Sequence, residues 1–397
     1  MEKVFIYSCK DYEEEKVCEI VDKIFDDIGG ISNFIKKGQK VVLKVNLVCG
    51  ASPEKCCTTH PSLVKAVAKK IVKQGARCII ADSPGGPFTA GHLKSVYAKS
   101  GMQNIANDIS GVELNNDFDE VVIKDDKNTV LKEFNAIKVL GDADVIINLC
   151  KFKTHTFMGY SGAVKNMFGA IPGLVKVEMH GRFANQKSFS QMLVDINQSF
   201  ENKMVLNILD AVMCMEGQGP TGGDPIFFGY IFASKSAYAL DFAQVLAMQK
   251  NVYQDSEDEN EVFPLIQEIK NRHKVVGEIE IIGDVNKVPT LEMQIPECEV
   301  YGALKKHIPI WLQPTFHKLM TRRPVIKQRK CKGCGKCSTH CPAKAITMNR
   351  RKNGKRFACV DYSKCIRCFC CQELCPFNVV KIKSGILYKL VHLKKKK

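Results

Sequence analysis

The sequence lacks the features that would place the protein in a membrane or outside the cell. No apolar run approaches the length of a membrane span, and no apolar signal segment stands at the N-terminus. The 397 residues, 45% of them hydrophobic, are enough for two or three globular domains. We therefore expect a cytoplasmic protein, whose 19 cysteines are kept reduced rather than paired as disulfides.

Eight of these cysteines form two runs of one pattern near the C-terminus. Each run reads C-x2-C-x2-C-x3-C-P and ends at Pro342 or Pro376. This spacing is typical of bacterial ferredoxins, in which three thiolates of a run bind one [4Fe-4S] cluster and the fourth binds the other cluster. The pattern predicts two clusters with these ligands: Cys331, Cys334, Cys337 and Cys375 for the first; Cys365, Cys368, Cys371 and Cys341 for the second.

Zinc and disulfides are the alternative interpretations of these cysteines. Zinc sites usually pair two C-x2-C knuckles across a longer gap, whereas here a third cysteine follows at once. Cys370 lies beside Cys371 as a competing ligand, but choosing it breaks the spacing, so Cys370 and Cys359 are interpreted as spare thiols. Exposed [4Fe-4S] clusters also indicate an anaerobic setting.

Acidic residues are nearly absent from the part of the chain that carries the clusters. Residues 301–397 contain 25 Lys and Arg but only Asp361 and Glu373, whereas residues 1–300 contain 33 basic and 40 acidic residues. Some of this positive charge offsets the clusters, and the rest is expected to attract an acidic electron carrier such as a ferredoxin or flavodoxin. Anionic lipid is a further candidate, and nucleic acid ranks last because no base-stacking or reading motif accompanies the charge.

The region before the cysteines alternates short β-branched runs with longer mixed segments. This alternation predicts an α/β fold with a mostly parallel, doubly wound sheet over about residues 1–300, followed by a small α+β ferredoxin-like domain over 326–385. A proline-punctuated connector spans 301–325, and a basic tail over 386–397 is expected to pack on the body or touch anionic membrane. The predicted strands are 4–7, 41–45, 78–81, 145–149, 205–209 and 227–233, and the predicted helices are 13–27, 61–74, 91–100, 187–200 and 236–250.

Polar and glycine-rich residues follow several of the predicted strands. Ligands of doubly wound sheets collect at the carboxyl ends of the strands, so these residues are expected to line one crevice that binds a cofactor and a small-molecule substrate. Ordinary turns are also polar and glycine-rich, which is the competing interpretation. The candidates are Lys44, Asn46, Asp82, Ser83 and Gly85.

The stretch from Lys151 to His180 holds the other candidates. Its turn at Gly159–Gly162 is expected to begin a helix whose free N–H groups face an anion or a nucleotide phosphate, with Ser161, Gly162 and Asn166 as binding residues. Lys165, His155 and His180 are the candidate catalytic residues, because lysine and histidine supply charge and protons near neutral pH. A plain helix cap and ordinary core histidines are the alternatives.

Several short motifs occur in order along the chain: Lys44-Val45-Asn46-Leu47, Thr58-Thr59-His60-Pro61, Gly75-Ala76, Asp82-Ser83-Pro84-Gly85, Lys153-Thr154-His155, Gly162–Gly169, His180 and Met215–Pro220. Together they resemble the domain of unknown function 362 family, whose members often end in a ferredoxin-type pair of clusters. The resemblance covers nearly the whole chain and implies an iron–sulfur protein of unsettled reaction.

The stretch His155-x3-Gly159-Tyr160-Ser161-Gly162-x2-Lys165 also looks like the segment of lactate racemases that holds a nickel-pincer nucleotide. That resemblance implies that Lys165 tethers the cofactor, that His180 ligates nickel and that His155 is an acid/base at the substrate. The sequence departs from the pattern at Ala163, and a partner histidine is not clearly placed, with His60 and His92 as candidates. A shared scaffold with a different ligand is the safer inference.

Three functions are consistent with the sequence. The first is a ferredoxin-dependent oxidoreductase in which the clusters pass electrons to a substrate or cofactor in the crevice. The second is an electron-transfer or adaptor subunit that docks on another enzyme through its basic region. The third is a racemase or hydride-transfer enzyme of the nickel-pincer kind, which elemental analysis for nickel distinguishes from the others.

Overall fold

The computed structural model of the protein describes residues 1–248, 263–275, 278–296 and 321–383, with 309, 312 and 385. Most of the predicted connector, the whole basic tail and the end of the predicted helix 236–250 lie outside these residues. No helix in the described ranges is both long and apolar enough to cross a bilayer.

The body is built on one nine-stranded sheet. The strands are β1 Lys3–Ser8, β2 Lys40–Lys44, β3 Arg77–Ala81, β4 Val112–Leu114, β7 Val145–His155, β8 Gly159–Ser161, β9 Met204–Glu216, β10 Asp224–Ser234 and β11 Glu280–Gly283; a separate hairpin joins β5 Glu120–Lys124 to β6 Glu133–Ile137. The spatial order of the sheet is β11-β1-β10-β9-β7-β2-β3-β4, and the short strand β8 pairs with the end of β7.

Most neighbouring strands of the sheet run parallel. Antiparallel pairs form only where β10 meets β1 and β9 and where β8 meets β7, among the described strands of this sheet. The predicted α/β class with a mostly parallel sheet is therefore confirmed. The antiparallel β10 lets the chain return beside β9 without a crossover helix.

Helices cover both faces of the sheet because alternate strand residues are apolar on both sides. Val42 belongs to one buried core, whereas Val41 and Leu43 belong to the other. The helices are α1 Glu14–Asp27, α2 Pro61–Lys73, α3 Ala90–Lys99, α4 Met102–Asp108, α5 Lys138–Gly141, α6 Ala163–Asn166, α7 Val175–Arg182, α8 Gln186–Phe200, α9 Ala237–Met248 and α10 Pro264–Asn271.

Local sequence sets where two of these helices begin. Helix α2 starts with Pro61 at its first position, and the ring nitrogen Nδ1 of His60 accepts from the Ser62 N–H at 3.3 Å. Helix α8 begins after Asn185, whose side-chain oxygen accepts from the Ser188 N–H at 2.9 Å. Both caps satisfy N–H groups that a helix start otherwise leaves unpaired.

Two strands extend further than their sequences predict. Strand β7 continues from the expected end at Leu149 to His155, and β9 continues from Leu209 to Glu216. Lys151, Lys153 and His155 therefore lie within a buried strand rather than in the loop after it. The extension occurs because β7 and β9 pair with each other beyond the sheet edge and β8 adds a third partner.

The C-terminal region folds as two small antiparallel strand pairs around the cysteines. Strand β12 Arg323–Ile326 pairs with β15 Val380–Lys383, and β13 Ile346–Arg350 pairs with β14 Arg356–Val360. Two one-turn helices, α11 Lys336–Thr339 and α12 Cys370–Glu373, follow the cysteine loops.

Candidate functional site

The first set of four cysteines surrounds one cavity. Cys331, Cys334, Cys337 and Cys375 all line a space of about 350 Å³, which is the grouping that the crossed ferredoxin pattern predicts. Cys334 is exposed to solvent. Four thiols around one cavity fit a [4Fe-4S] cluster, because each of its four irons takes one thiolate.

The second set surrounds a separate cavity of about 340 Å³. Cys341, Cys365, Cys368 and Cys371 line it, again with the fourth ligand of one run placed beside the first three of the other. Cys370 lines this cavity as well, so the structure brings the spare thiol close to the predicted ligands. Cys368 of this second set is buried, whereas Cys334 of the first set is exposed.

The cysteine region docks on the body through specific polar contacts. The Arg322 guanidinium donates to the Thr156 carbonyl at 2.6 Å, and the Thr156 hydroxyl donates to the Gln372 side chain at 2.9 Å. Gln372 in turn donates to the Gln218 carbonyl at 2.9 Å. The Gln218 side chain donates to the Ile382 carbonyl and accepts from the Ile382 N–H. Because Gln372 lies on α12, these bonds hold the second cysteine loop against the carboxyl ends of the body strands.

A third cavity lies at this junction, at the carboxyl edge of β2, β3 and β7. It encloses about 690 Å³ when the open solvent at its mouth is included. Six of the eight predicted binding residues of the body line it. These six are Asn46, Asp82, Ser83, Gly85, Ser161 and Asn166.

Lys44, another predicted binding residue, does not line this cavity but lies behind its wall. Its amine forms an ion pair with Asp82 at 2.8 Å and donates to the Val45 carbonyl at 2.8 Å. Asp82 also accepts from the Leu47 N–H at 2.7 Å. A Cβ on Gly169 would come within 2.1 Å of the Asp82 carboxylate and 2.6 Å of the Lys44 amine. Lys44 is therefore a structural counter-ion rather than a ligand contact, which corrects its predicted role.

Three lysines line the cavity. Lys153 donates to the Asn46 side chain and the Cys57 carbonyl, both at 2.7 Å, and Lys176 donates to the Ser83 hydroxyl at 3.0 Å and to the Ile171 carbonyl. Burial lowers the pKa of Lys153 to about 8 and that of Lys176 to about 7.

Lys165 is the third lysine and the predicted catalytic one. Its amine lies 5.5 Å from the centre of the Phe168 ring and has no hydrogen-bond or ion-pair partner among the described residues. Burial lowers the pKa of Lys165, although the carboxylate of Glu373 opposes that shift. An amine in this position can bind a ligand without first losing a partner.

Glu373 carries the negative charge that faces these lysines from the cysteine region. Its carboxylate lies 3.3 Å from His155 Nε2, and it lines the cavity together with Cys370 and Leu374. Burial acts to raise the pKa of Glu373, but the close contact with His155 Nε2 and the nearby charge of Lys165 outweigh burial and lower the pKa to about 2.

His155 is fully buried and does not line the cavity. Its Nδ1 accepts from the N–H groups of Phe157 at 3.1 Å and Met158 at 3.3 Å, so the proton resides on Nε2, toward Glu373. Burial lowers the pKa of His155 to about 4, which keeps the ring neutral at pH 7. His155 therefore lies behind the cavity wall against Glu373, and its contact with a substrate stays a prediction.

His180 lines the cavity from α7. Its ring stacks on Phe189 at 4.5 Å and meets the edges of Phe157 and Phe168, and its Nδ1 is buried without a hydrogen-bond partner in the described structure. Burial lowers the pKa of His180 to about 3. A neutral imidazole held by aromatic rings can orient a ligand and accept a hydrogen bond from it.

The predicted anion site at the start of α6 is wrong. The N–H groups of Ala163 and Val164 donate to the Asp241 carboxylate at 2.5 and 3.4 Å, so a protein side chain already takes the place of the anion. A Cβ on Gly162 would lie 2.3 Å from both Asp241 and Gln244. Gly162 is needed for this close packing and does not line the cavity.

The two candidate partner histidines lie outside the cavity wall. His60 stacks on Tyr12 at 3.5 Å, and the Nε2 of His92 lies 3.1 Å from the Gly85 carbonyl oxygen. Within the described ranges, no three His, Cys, Asp or Glu side chains converge on a single-ion site.

Sequence reasoning missed Lys176, Glu373 and Asp241 as residues of this region. Lys176 lies in the stretch Lys151–His180 but has no motif of its own. Glu373 is one of only two acidic residues in 301–397, and this rarity was the available signal. Asp241 gave no signal, because it meets α6 only through the tertiary fold.

Comparison with known proteins now decides the family. The model described as "Domain of unknown function (DUF362)" matches residues 41–245, slightly more than half of the chain. The chain belongs to the DUF362 family. A second model, the 4Fe-4S dicluster domain, matches residues 330–379 of this DUF362 protein and includes all eight cysteines of the two runs. The protein is therefore an iron–sulfur electron-transfer protein with a dicluster domain.

Individual relatives cover different parts of this DUF362 protein. A thylakoid-associated protein of Synechocystis is 34% identical over 247 residues, which are 61% of this chain and 73% of that protein. Trichloroethene reductive dehalogenase of Dehalococcoides mccartyi is 41% identical over 121 residues, but these are only 28% of this chain and 21% of the dehalogenase. The lactate racemase apoprotein of Thermoanaerobacterium thermosaccharolyticum aligns with a TM-score of 0.37 and 14% identity, covering 62% of this chain and 58% of the racemase.

Proposed function

We propose that the protein is an oxidoreductase that delivers electrons from its dicluster domain to a small molecule bound in the cavity at the domain junction. One observation carries this proposal. Cys370, Glu373 and Leu374 form part of the cavity wall, and they belong to the same short segment as the predicted cluster ligands Cys371 and Cys375. When bound, the [4Fe-4S] clusters supply single electrons.

The side chains around the cavity suit a reduction. Lys165 is unpartnered among the described residues and is free to bind a substrate oxygen. Lys176, whose pKa is about 7, can hold or release a proton near neutral pH. His155 lies against Glu373, and the lowered pKa of Glu373 keeps it ionised opposite these lysines.

The two cysteine sets have different surroundings, which supports a direction of transfer. The set containing the exposed Cys334 neighbours Lys332 and Lys336, whereas the cavity of the other set shares Cys370 with the junction cavity. We propose that an acidic carrier such as a ferredoxin or flavodoxin docks at the first set, because opposite charges accelerate encounter. We also place this activity in an oxygen-poor cytoplasm, where thiolate-bound clusters persist.

The test uses anaerobically purified protein with its clusters. The clusters are reduced with dithionite, excess reductant is removed, and reoxidation by the small-molecule fraction of a cell extract is followed by absorbance. Lys165→Ala is expected to retain its iron and lose at least tenfold in rate, whereas Lys94→Ala, an exposed lysine on α3, keeps the rate. Equal reoxidation rates in the two variants would show that the cavity takes no part in the reaction.

The charge asymmetry favours a second candidate function, an electron-transfer or adaptor subunit of a larger complex. With 25 basic and two acidic residues in 301–397, the dicluster side is suited to a protein partner. This candidate predicts salt-sensitive association with an acidic redox protein and no small molecule released from the anaerobically purified protein on denaturation. Mass spectrometry of the released fraction distinguishes the two functions.

A further inference from the structure

The cavity at the domain junction contains more positive than negative charge. Lys153, Lys165 and Lys176 line it, and the carboxylates that line it are Asp82 and Glu373. Asp82 is already neutralised by Lys44 from behind the wall. Glu373 alone is left to balance three amines, which is an excess of two positive charges when all three are protonated.

None of the three amines forms an ion pair with a carboxylate in the described structure. Lys153 and Lys176 donate only to neutral oxygens, and Lys165 has no hydrogen-bond partner there. Glu373 lies against His155 instead. Buried cations without counter-ions are costly, so an anion in the cavity would gain strong charge-assisted hydrogen bonds.

Further polar groups for such an anion are present on the same wall. The Ser83 hydroxyl accepts from Gly173 N–H at 2.7 Å and from Lys176 at 3.0 Å, and it donates to no described residue. Its proton is therefore available to a ligand oxygen. Asn166, by contrast, is fully engaged with Asn46, Asn148 and backbone carbonyls and serves to fix the wall.

We propose that the cavity binds a small dianion, a molecule with two negative charges on oxygen such as a dicarboxylate or a phosphate monoester. This deepens the proposed function, on which it rests only in treating the cavity as the ligand site. Lys165 contacts the ligand directly, and Lys153 and Lys176 complete the positive side of the cavity.

The negative charge of the nearby cluster is the competing explanation for these lysines. Its predicted ligands are Cys341, Cys365, Cys368 and Cys371, and none of them lines the junction cavity; Cys370 is the one described cysteine that does. The lysine amines thus share their cavity with Glu373 rather than with the thiolates. An experiment on ligand binding separates the two explanations.

Binding of a dianion should draw protons into the cavity. At pH 8, Lys176 with a pKa of about 7 is mostly neutral and Lys153 with a pKa of about 8 is half neutral. A bound dianion favours the charged form of both amines. Uptake of about 1.4 protons per ligand is therefore expected if both amines become fully protonated, because Lys176 regains about 0.9 and Lys153 about 0.5 of a proton.

The measurement is anaerobic isothermal titration calorimetry of the oxidised, cluster-loaded protein. Succinate and inorganic phosphate are the dianionic probes, and acetate and succinamide are the monoanionic and neutral controls. Each titration at pH 8 is repeated in two buffers of different ionisation enthalpy, which reports the proton uptake directly. Binding of either dianion, with proton uptake and at least tenfold preference over acetate, is the expected result.

Variants locate the binding. Lys165→Met should weaken the dianion about tenfold to a hundredfold, because one charge-assisted hydrogen bond is lost. Lys94→Met on the exposed face of α3 should change nothing. Weakening in both variants to the same extent, or no dianion binding at millimolar concentrations, overturns the proposal.

Preference between the probes identifies the source of the dianion. Tighter binding of succinate points to dicarboxylates, and tighter binding of phosphate points to phosphate esters. Because no electron transfer enters this measurement, it is independent of the proposed reaction. If succinate binds in the cavity but no ligand reoxidises the clusters, the dianion site stands and the proposed oxidoreductase function fails.

Discussion

The two cysteine loops share one spacing but differ in how they are built. Gly333 and Gly335 have φ values of 68° and 81° in the first loop, and Arg367 and Phe369 occupy the same positions of the second loop at 59° and 61°. Glycine adopts this left-handed conformation freely, whereas other residues lose about 1 kcal/mol or more there. The second loop therefore carries backbone strain that the first avoids.

Packing against the body accounts for this difference. Phe369 belongs to the same buried core as Val42, and its ring lies 5.4 Å from the Arg322 guanidinium. That guanidinium also donates to the Thr156 carbonyl. Burying a phenylalanine stabilises by about 2 kcal/mol, which exceeds the cost of its backbone conformation. The comparison shows one loop shaped for exposure to solvent and one shaped for docking.

The largest expected effect comes from removing one ligand of each set. Cys334→Ser and Cys368→Ser should each lower the iron content from about eight to about four per chain, because each disables one cluster. Only Cys368→Ser is expected to stop dithionite-driven reduction of a molecule in the junction cavity, because Cys370 lines both that cavity and the cavity of the second set. Iron analysis with single-turnover assays measures both, and identical activity loss in the two variants would contradict the comparison.

Truncating Phe369 tests the docking role of the second loop. Phe369→Ala should lower the free energy of unfolding by about 3 kcal/mol, because a buried aromatic side chain is lost. Phe377, which is 47% exposed in the same region, is the matched control, and Phe377→Ala should cost less than about 0.5 kcal/mol. Anaerobic denaturant unfolding gives both values, and a similar loss in the control would argue against specific docking.

Reversing charge near the exposed set tests carrier docking. The double variant Lys332→Glu, Lys336→Glu should slow reduction by an acidic carrier protein about tenfold at low salt, because electrostatic steering is lost. Reduction by dithionite should not change. Lys364→Glu, beside the second set, is the control. Stopped-flow absorbance at two salt concentrations provides the rates. An equal effect of Lys364→Glu would show that the carrier does not dock specifically at the first set.

The smallest expected effect is a pH dependence confined to one cluster. As pH rises from 6 to 9, Lys176 and Lys153 lose their charges near pH 7 and 8, and the loss of positive charge lowers the reduction potential of the neighbouring cluster. The potential of the exposed cluster should change less. Redox titrations followed by paramagnetic resonance check this, and Lys176→Met should reduce the pH dependence of the second cluster alone.

The fold was largely predictable from periodicity and the site only in part. The first residues of five of the six predicted strands and of all five predicted helices lie within one residue of those observed, because apolar alternation reports burial on both sheet faces. The extension of β7 and β9 was not predictable, since Lys151 and Lys153 are polar and their burial depends on Asp210 and Asn46 across the fold.

The candidate site was likewise predictable only where the signal lies in the local sequence. The glycine-rich strand ends correctly indicated Asn46, Asp82 and Ser83 as neighbours in space. The start of α6 was predicted to bind a ligand, but its Ala163 N–H donates to the Asp241 carboxyl group, which lies far away in the sequence. Short-range patterns identify where a ligand can bind, whereas long-range contacts decide which polar groups are already engaged.

The crossed arrangement of the cysteines has a consequence for biosynthesis. Cys375 lines the same cavity as Cys331, Cys334 and Cys337, although it is the last cysteine of the two runs to leave the ribosome. The first metal centre therefore cannot gain its full set of ligands during translation of its own loop. The first centre has to wait for the second cysteine loop, so a product truncated between Cys341 and Cys365 would be released with the ligand set of neither centre complete.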